Sequence, residues 1–203
     1  MRLVSIITIA SVLLLAGAAQ AAVGENIVAG ITTGAAAPNI TYGVWTQNGN
    51  PNNLTDGNLT NSYDHWGDAN TAPWWKIDWV DDTPVSQIKI YGRTGYAARM
   101  INATVMLFDS TDTMLLQEVI DSSEIVNEDH SGVRPTWTFD LATPILASSI
   151  YLDGKSYLTG ASIDRNVLAI SEVQVIEGIL LPEPATMSLL VLGGLTALIR
   201  RKK

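Results

Sequence analysis

Hydrophobic and polar residues alternate along several short segments in the middle of this chain. Apolar residues recur at about every second position in 86–91, 104–108, 136–141, 149–153 and 172–175. Successive side chains of a β-strand point to opposite faces, so this period of two predicts strands with one face in a core. Clusters rich in Asn, Asp, Gly, Pro, Ser and Thr separate the segments and predict turns, at 47–51, 81–84, 109–112 and 153–155.

The number and spacing of these segments predict an all-β fold. About eight short strands separated by turns are typical of an antiparallel β-sandwich or jelly roll. Residues 22–181 contain no internal repeat, no linker and no long amphipathic pattern. We therefore interpret this region as one domain of about 160 residues, which is long enough to build its own core.

The first 21 residues have the three parts of a secretory signal peptide. Met1-Arg2 is a short positive start, Leu3 to Ala18 is an apolar run, and Ala19-Gln20-Ala21 is a small-x-small cleavage pattern. The alternative is an uncleaved membrane anchor, although the apolar run is shorter than the roughly 20 residues that usually span a bilayer. Both interpretations place the domain outside the cytoplasm.

The last 22 residues, 182–203, form a second processing segment. Pro182-Glu183-Pro184 precedes a short apolar stretch, 186–199, which predicts a single hydrophobic helix, and four cations, Arg200 to Lys203, follow it. Such a basic cluster stays on the cytoplasmic side of a membrane. Together these parts resemble the PEP-CTERM sorting signal of Gram-negative bacteria that make extracellular polysaccharide.

That resemblance implies transient anchoring in the inner membrane and cleavage by an exosortase near Pro182, Glu183 and Pro184. The protein would then be released to the cell surface, the outer membrane or the extracellular matrix. The alternative is a permanent single-span anchor. In both cases the membrane is contacted only through the C-terminal segment.

Charge narrows the choice of partner. Five of the 12 basic residues lie in the two end segments, whereas all 20 acidic residues lie between Ala22 and Pro184. A region with seven positive and twenty negative side chains repels phosphate backbones, so nucleic acid is excluded as a partner. Neutral sugars and cations such as calcium are compatible with this charge.

The chemistry available for catalysis is limited. The chain has no cysteine and only two histidines, His65 and His130, and it lacks the His-x-x-x-His and Gly-x-Ser-x-Gly patterns. The absence of cysteine excludes disulfides, thiol catalysis and Cys-based metal sites. We expect a binding protein and not an enzyme. A glycoside hydrolase that uses two facing carboxylates remains a remote alternative.

Several stretches, in their order along the chain, resemble the discoidin or coagulation-factor C-type domain of the galactose-binding-like fold. They are closest to the F-type lectins within that fold. The resemblance covers most of the middle region and is most specific in the tryptophan-rich part. The stretches are Glu25–Ala29, Leu54–Asn58, Pro73–Trp79, Ile88–Arg93, Arg99–Asn102 and Ile170–Val175.

The first functional expectation is a structural calcium site. Asp56-Gly57-Asn58 places oxygen-bearing side chains around a glycine, and Glu172 could add a carboxylate if distant strands meet. The resemblance to F-type lectins implies calcium ligands at the Asp56 and Asn58 side chains, at Glu172 and at backbone carbonyls near Asn53 and Ser171. The alternative is an ordinary Asp-Gly turn with Glu172 exposed on an edge strand.

The second expectation is a carbohydrate site. Trp66 lies in a polar stretch, 61–71, where an aromatic ring could stack on a sugar. The resemblance implies that His65, Arg93 and Arg99 donate hydrogen bonds to sugar hydroxyls and the ring oxygen. This chain has Arg93-Thr94-Gly95 in place of the family's Arg-x-Asp and lacks the paired cysteines, so fucose specificity does not follow. The alternative is that His65 is solvated while the arginines pair with carboxylates.

Together these features predict an exported lectin-like protein that binds polysaccharide or another glycan. The rival interpretation is a structural or adhesive matrix protein without a sugar site. The indoles of 74–79 are expected to alternate between core and surface, and most of them to pack in the core.

Overall fold

The computed structural model describes residues 24–34, 36–43, 46–66, 72–121, 134–154 and 167–179. The predicted signal peptide, 1–21, and sorting segment, 182–203, lie outside these ranges. Within them, no helix has the length and apolar character needed to cross a membrane.

The described residues form eight strands and two short 3-10 helices, η1 and η2. All pairings between the strands are antiparallel, which confirms the all-β prediction. The elements are β1 (Asn39–Gly43), β2 (Thr46–Asn48), η1 (Pro51–Leu54), β3 (Tyr63–Trp66), β4 (Trp74–Gly92), η2 (Ala97–Met100), β5 (Thr104–Phe108), β6 (Met114–Val119), β7 (Thr136–Asp153) and β8 (Val167–Glu177).

Two long strands, β4 and β7, each contribute to both layers of the sandwich. The first half of β4 pairs with β1 and with the second half of β7, which in turn pairs with β5. The second half of β4 pairs with β8 and with the first half of β7. One layer is therefore β1, β4, β7, β5 and β6, and the other is β2, β3, β8, β4 and β7, as a two-sheet sandwich requires.

The predicted turn at 81–84 is wrong, because β4 continues through it. The pairing with β7 shifts register between Asp78 and Thr83, and Val80, Asp81 and Asp82 are exposed there. Such an irregularity bends a strand without reversing the chain, and here it carries β4 from one layer to the other. The polar cluster marks that bend. The two segments predicted at 136–141 and 149–153 are likewise one strand, β7.

The predicted turn at 109–112 is confirmed. The carboxylate of Asp109 accepts hydrogen bonds from the backbone N–H groups of Thr111 and Thr113, both at 2.9 Å. Asp112 has φ of 58°, a left-handed conformation that Asp tolerates better than most residues. Asp109 thus closes this turn as an Asx turn, and its hydroxyl and backbone partners lower the pKa of its carboxyl group.

The core lies between the two layers. The tryptophan-rich part of β4 buries Trp75 fully and Trp79 almost fully, and the Trp79 indole N–H donates to the Ala147 carbonyl at 2.7 Å. Trp74 is half-buried and stacks on Tyr151 with ring centroids 5.4 Å apart. Most indoles in 74–79 are therefore packing residues, as expected. The other layer contributes apolar side chains of Ile88, Ile90, Trp137, Val173 and Val175.

The bends of the long strands give the sandwich two different poles. Both ends of β4 and both ends of β7 lie at one pole, where the Gly154 N–H donates to the Pro73 carbonyl at 2.8 Å. We call this end the loop pole. The described chain ends meet at the other pole, since Gly24 lies against Glu177 and the Gly178 N–H donates to Pro84 at 2.7 Å. We call that end the terminal pole.

Candidate functional site

The start of β8 brings two distant segments together at the loop pole. His65 of β3 pairs with Leu168, and on the other side of β8 the Arg93 N–H donates to the Ala169 carbonyl at 2.9 Å. Adjacent strands lie about 4.8 Å apart, so the two backbones are separated by about 10 Å. Trp66 pairs with Val167, one step nearer the end of β8. The predicted sugar-site residues therefore share one rim in the backbone trace.

The loop after β4 brings Arg93 and Arg99 onto one ring. The guanidinium carbon of Arg93 lies 4.4 Å from the centroid of the Tyr96 ring, and that of Arg99 lies 4.1 Å from it. The resemblance pointed to the arginines but not to Tyr96. The sequence signal for Tyr96 is its position, three residues after Arg93 and three residues before Arg99.

A third arginine lies beside this loop and was also missed. The Nη1 group of Arg134 donates to the Gly92 carbonyl at 3.2 Å and to the hydroxyl of Ser171. Burial lowers the pKa of the Arg134 guanidinium. Because Gly92 immediately precedes Arg93, Arg134 fixes the backbone at the point where the arginine loop leaves β4.

The Asp-Gly loop and Glu172 meet across 115 residues of sequence. Glu172 is fully buried, and its Oε2 accepts a hydrogen bond from the Gly57 N–H at 3.2 Å. Its Oε1 is buried without a hydrogen-bond partner. Burial, together with the nearby charge of Asp56, raises the pKa of Glu172 to about 7. The alternative of an exposed Glu172 on an edge strand is wrong, because β8 lies between β3 and β4.

The side chains of the other residues in the predicted calcium site make hydrogen bonds within the protein. The Asn58 side-chain oxygen accepts from the Thr60 N–H at 3.0 Å and from the Thr60 hydroxyl. The Asn53 amide group donates to the Ser62 carbonyl at 3.2 Å. Ser171 lies where the pairing of β8 with β4 shifts register, so its backbone is released from the regular ladder.

The buried carboxylate of Glu172 favours a hard cation at the predicted calcium site. A buried carboxylate oxygen without a partner, next to a second carboxylate, is costly unless a proton or a cation neutralises it. In the part of the chain that the structure describes, no three acidic or histidine side chains form a metal-ligating group. A calcium ion here would therefore need carbonyl or amide oxygens to complete its coordination, and the calcium site stays a prediction.

Without metal, we predict that stability falls as pH rises. A carboxyl group whose folded pKa is raised favours folding while it is protonated, and this contribution is lost as pH climbs from about 4.5 through 7. The expected loss is about 3 kcal/mol for a shift of this size. Urea unfolding in a chelator at pH 5 and pH 8 measures it.

Glu172→Gln should remove most of this pH dependence. Glu177→Gln, at the exposed end of the same strand, is the matched control and should leave it in place. Equal pH dependence in both variants would show that Glu172 is not its source.

Comparison with known proteins gives structural relatives only. No protein-family model and no curated protein matches this chain. Among solved structures, a lectin domain of lectinolysin complexed with Lewis b antigen has a TM-score of 0.58 at 17% identity, covering 78% of this chain and all of that one. A fucose binding module of Streptococcus pneumoniae has a TM-score of 0.54 at 23% identity, covering 75% of this chain and 95% of that one.

An F-lectin from striped bass serum has a TM-score of 0.53 at 18% identity and covers 79% of this chain. This chain spans 50% of that protein. At these identities the likeness concerns the fold alone. The chain therefore has the galactose-binding-like β-sandwich fold that these lectin and fucose-binding domains share.

Proposed function

We propose that this protein is an exported, non-enzymatic carbohydrate-binding protein that holds polysaccharide at its loop pole. The observation that supports the proposal is the convergence of the His65 end of β3 and the Arg93–Arg99 loop on the start of β8. Similar folds occur in a lectin domain solved with Lewis b antigen and in a fucose binding module.

The chemistry of the rim suits an oxygen-rich ligand. A guanidinium group presents several N–H donors in a fixed plane, and these donors match hydroxyl, ring and carboxylate oxygens of a sugar. Their directions are set by the loop before the ligand arrives, which lowers the ordering cost of binding. The backbones of His65 and Trp66 lie at the same end of the sheet, and the proposal assigns a further donor to His65 and stacking to Trp66.

Calcium is the proposed structural partner of the Asp-Gly loop. The side chains of Asp56, Asn58 and Glu172 would hold the ion, with backbone carbonyls near Asn53 and Ser171 completing the set. Its charge would neutralise the buried Glu172 carboxylate, whose Oε1 has no hydrogen-bond partner. In a chain without cysteine, such an ion would join the loop after η1 to β8, as a disulfide does in other secreted domains.

Export and sorting follow from the two end segments of the sequence. We assign residues 1–21 to a signal peptide and 182–203 to a PEP-CTERM segment that an exosortase cleaves. The fold is compatible with this route, because both described chain ends lie at the terminal pole. A C-terminal anchor would thus leave the loop pole directed away from the inner membrane, and cleavage would release the domain to the surface or matrix.

A structural matrix role is the second candidate, and one observation favours it. The strand β6 pairs only with β5 among the described strands, and it exposes Met114, Leu115 and Val119. Edge strands with exposed apolar side chains are sites where proteins associate. Such an association would use the edge of β6 and would not need the arginine side chains.

Glycan binding is predicted to depend on the loop pole. Substituting Arg93 and Arg99 together by alanine should weaken retention of the bacterium's own exopolysaccharide at least tenfold, since each charge-assisted hydrogen bond that is removed is worth about 1.5–3 kcal/mol. Affinity electrophoresis or a glycan array with the secreted protein measures this effect.

The control for this experiment is Met114→Ser with Leu115→Ser on β6. If the arginine variant keeps its matrix retention while the β6 variant loses it, the structural role is correct and the sugar site is not.

Calcium is predicted to stabilise the fold through Glu172. A ligand present at a hundred times its Kd adds about 2.7 kcal/mol, so the Tm should rise by several degrees in calcium relative to chelator at pH 8. Magnesium should do much less, because it demands a smaller octahedral site. The same Tm in calcium and chelator, or an unchanged calcium effect in Glu172→Gln, would contradict the site.

Processing is predicted to remove both ends of the chain. Mass spectrometry of the protein recovered from the matrix should show an N-terminus at Ala22 and a C-terminus near Pro182–Pro184. Replacing Pro182, Glu183 and Pro184 by alanine should leave the uncleaved chain in the membrane fraction. Matrix protein that still carries residues 186–203 would rule out this route.

A further inference from the structure

The loop from Arg93 to Arg99 repeats one backbone interaction twice. The Tyr96 N–H donates to the Arg93 carbonyl, and the Arg99 N–H donates to the Tyr96 carbonyl, each at 3.1 Å. The first of these bonds closes a turn in which Gly95 has φ of 80°, and the second leads into η2. From these two positions the side chains of Arg93 and Arg99 both reach the ring of Tyr96. We call this arrangement the Arg–Tyr–Arg ladder.

The ring of Tyr96 keeps the two arginines in place. Both guanidinium carbons lie within 4.4 Å of its centroid, a distance at which a cation is attracted by the ring's quadrupole. Two guanidinium groups this near one another would otherwise repel. The ring therefore holds both guanidinium groups, with their N–H donors, within one small region of the loop.

The two ends of the ladder are anchored in the fold. At the start, the Gly92 N–H donates to the Pro135 carbonyl at 2.9 Å, and Arg134 binds the Gly92 carbonyl. At the other end, Met100 is fully buried and its carbonyl accepts from the Ala103 N–H at 3.1 Å. Between these anchors the chain has no cysteine with which to brace the loop. Tyr96, half-buried at the middle of the loop, is the side chain placed to do so.

From this geometry we infer that Tyr96 is a positioning residue for carbohydrate binding. It sets the spacing and direction of the Arg93 and Arg99 donors so that both act on one sugar residue, which must offer oxygen acceptors on two sides. The inference rests on the proposed function and names the side chain that preorganises its site. The benefit of such preorganisation is a smaller entropy loss when the sugar binds.

Substitutions at Tyr96 test the inference by rescue. Tyr96→Ala should weaken binding of the purified exopolysaccharide roughly tenfold, because it removes the cation–π attraction that holds both arginines. Tyr96→Phe keeps the ring and should bind within about twofold of the unmodified protein. Thr94→Ala, in the same loop, is the control and should bind normally. All variants should stay folded at the assay temperature and keep the same pH dependence from Glu172.

Two binding results would overturn the inference. Tyr96→Ala could bind as tightly as the unmodified protein while Arg93→Ala and Arg99→Ala lose binding, which would mean that the ring does not position them. Tyr96→Phe could weaken binding as much as Tyr96→Ala, which would mean that the hydroxyl contacts the sugar directly.

The arginine Nε–Hε signals in NMR spectra test the ladder without any ligand. In Tyr96→Ala these signals of Arg93 and Arg99 should move, because the ring current of Tyr96 is gone, whereas in Tyr96→Phe they should stay. Unchanged signals in Tyr96→Ala would overturn the ladder. If the unmodified protein binds no glycan while the signals move as expected, the proposed function fails and the ladder stands as a structural feature.

Discussion

The antiparallel pairing of β8 between β3 and β4 is the constraint on which the rest of this structure depends. One edge of β8 pairs with Tyr63–Trp66, and the other pairs with the second half of β4 and with Arg93. Because β8 comes last in the described sequence, its insertion brings together segments that are about a hundred residues apart. Without it, neither the rim at the loop pole nor the contact between Gly57 and Glu172 would exist.

The same strand also carries the main electrostatic cost in the described part of the chain. Glu172 is buried, has one carboxylate oxygen without a partner, and lies near a second acid, Asp56. Proteins tolerate such groups when a proton or a metal ion neutralises them, and often at sites with a function. The acidity of the whole middle region adds to the repulsion. This is why the proposed cation binding at the Asp-Gly loop and the predicted pH dependence of stability would both report on Glu172.

The proposed glycan site and the proposed point of tethering are separated in space by the bends of β4 and β7. Each long strand starts at the loop pole, crosses between layers near the terminal pole and returns. The loop pole therefore gathers connections that can vary without disturbing the core, an arrangement common to sandwiches that use loops for recognition. Arg134 and Met100 link that rim to the rigid part of the fold. The proposed function and the positioning role of Tyr96 both depend on this attachment.

By itself, the sequence determined the all-β class, the turn at 109–112 and the packing role of Trp75 and Trp79. These follow from local periodicity and from the preference of Asp for turns, which act over a few residues. It also pointed to Asp56, Glu172, Arg93 and Arg99 as candidates, through resemblance. The polar cluster at 81–84 was misread, because the same residues that favour a turn also favour a bulge within a long strand.

Only the tertiary structure decided which of these residues meet. The burial of Glu172 depends on β8 lying inside a sheet and under the Asp-Gly loop, and no local pattern encodes either fact. The contact of Arg134 with Gly92 joins positions 42 residues apart. Tyr96 is a partial exception. Its position three residues from each arginine is visible in the sequence, but the contact of its ring with both guanidinium groups depends on the conformation of the loop. Such contacts come from long-range strand pairing, which fixes positions that local preferences leave open.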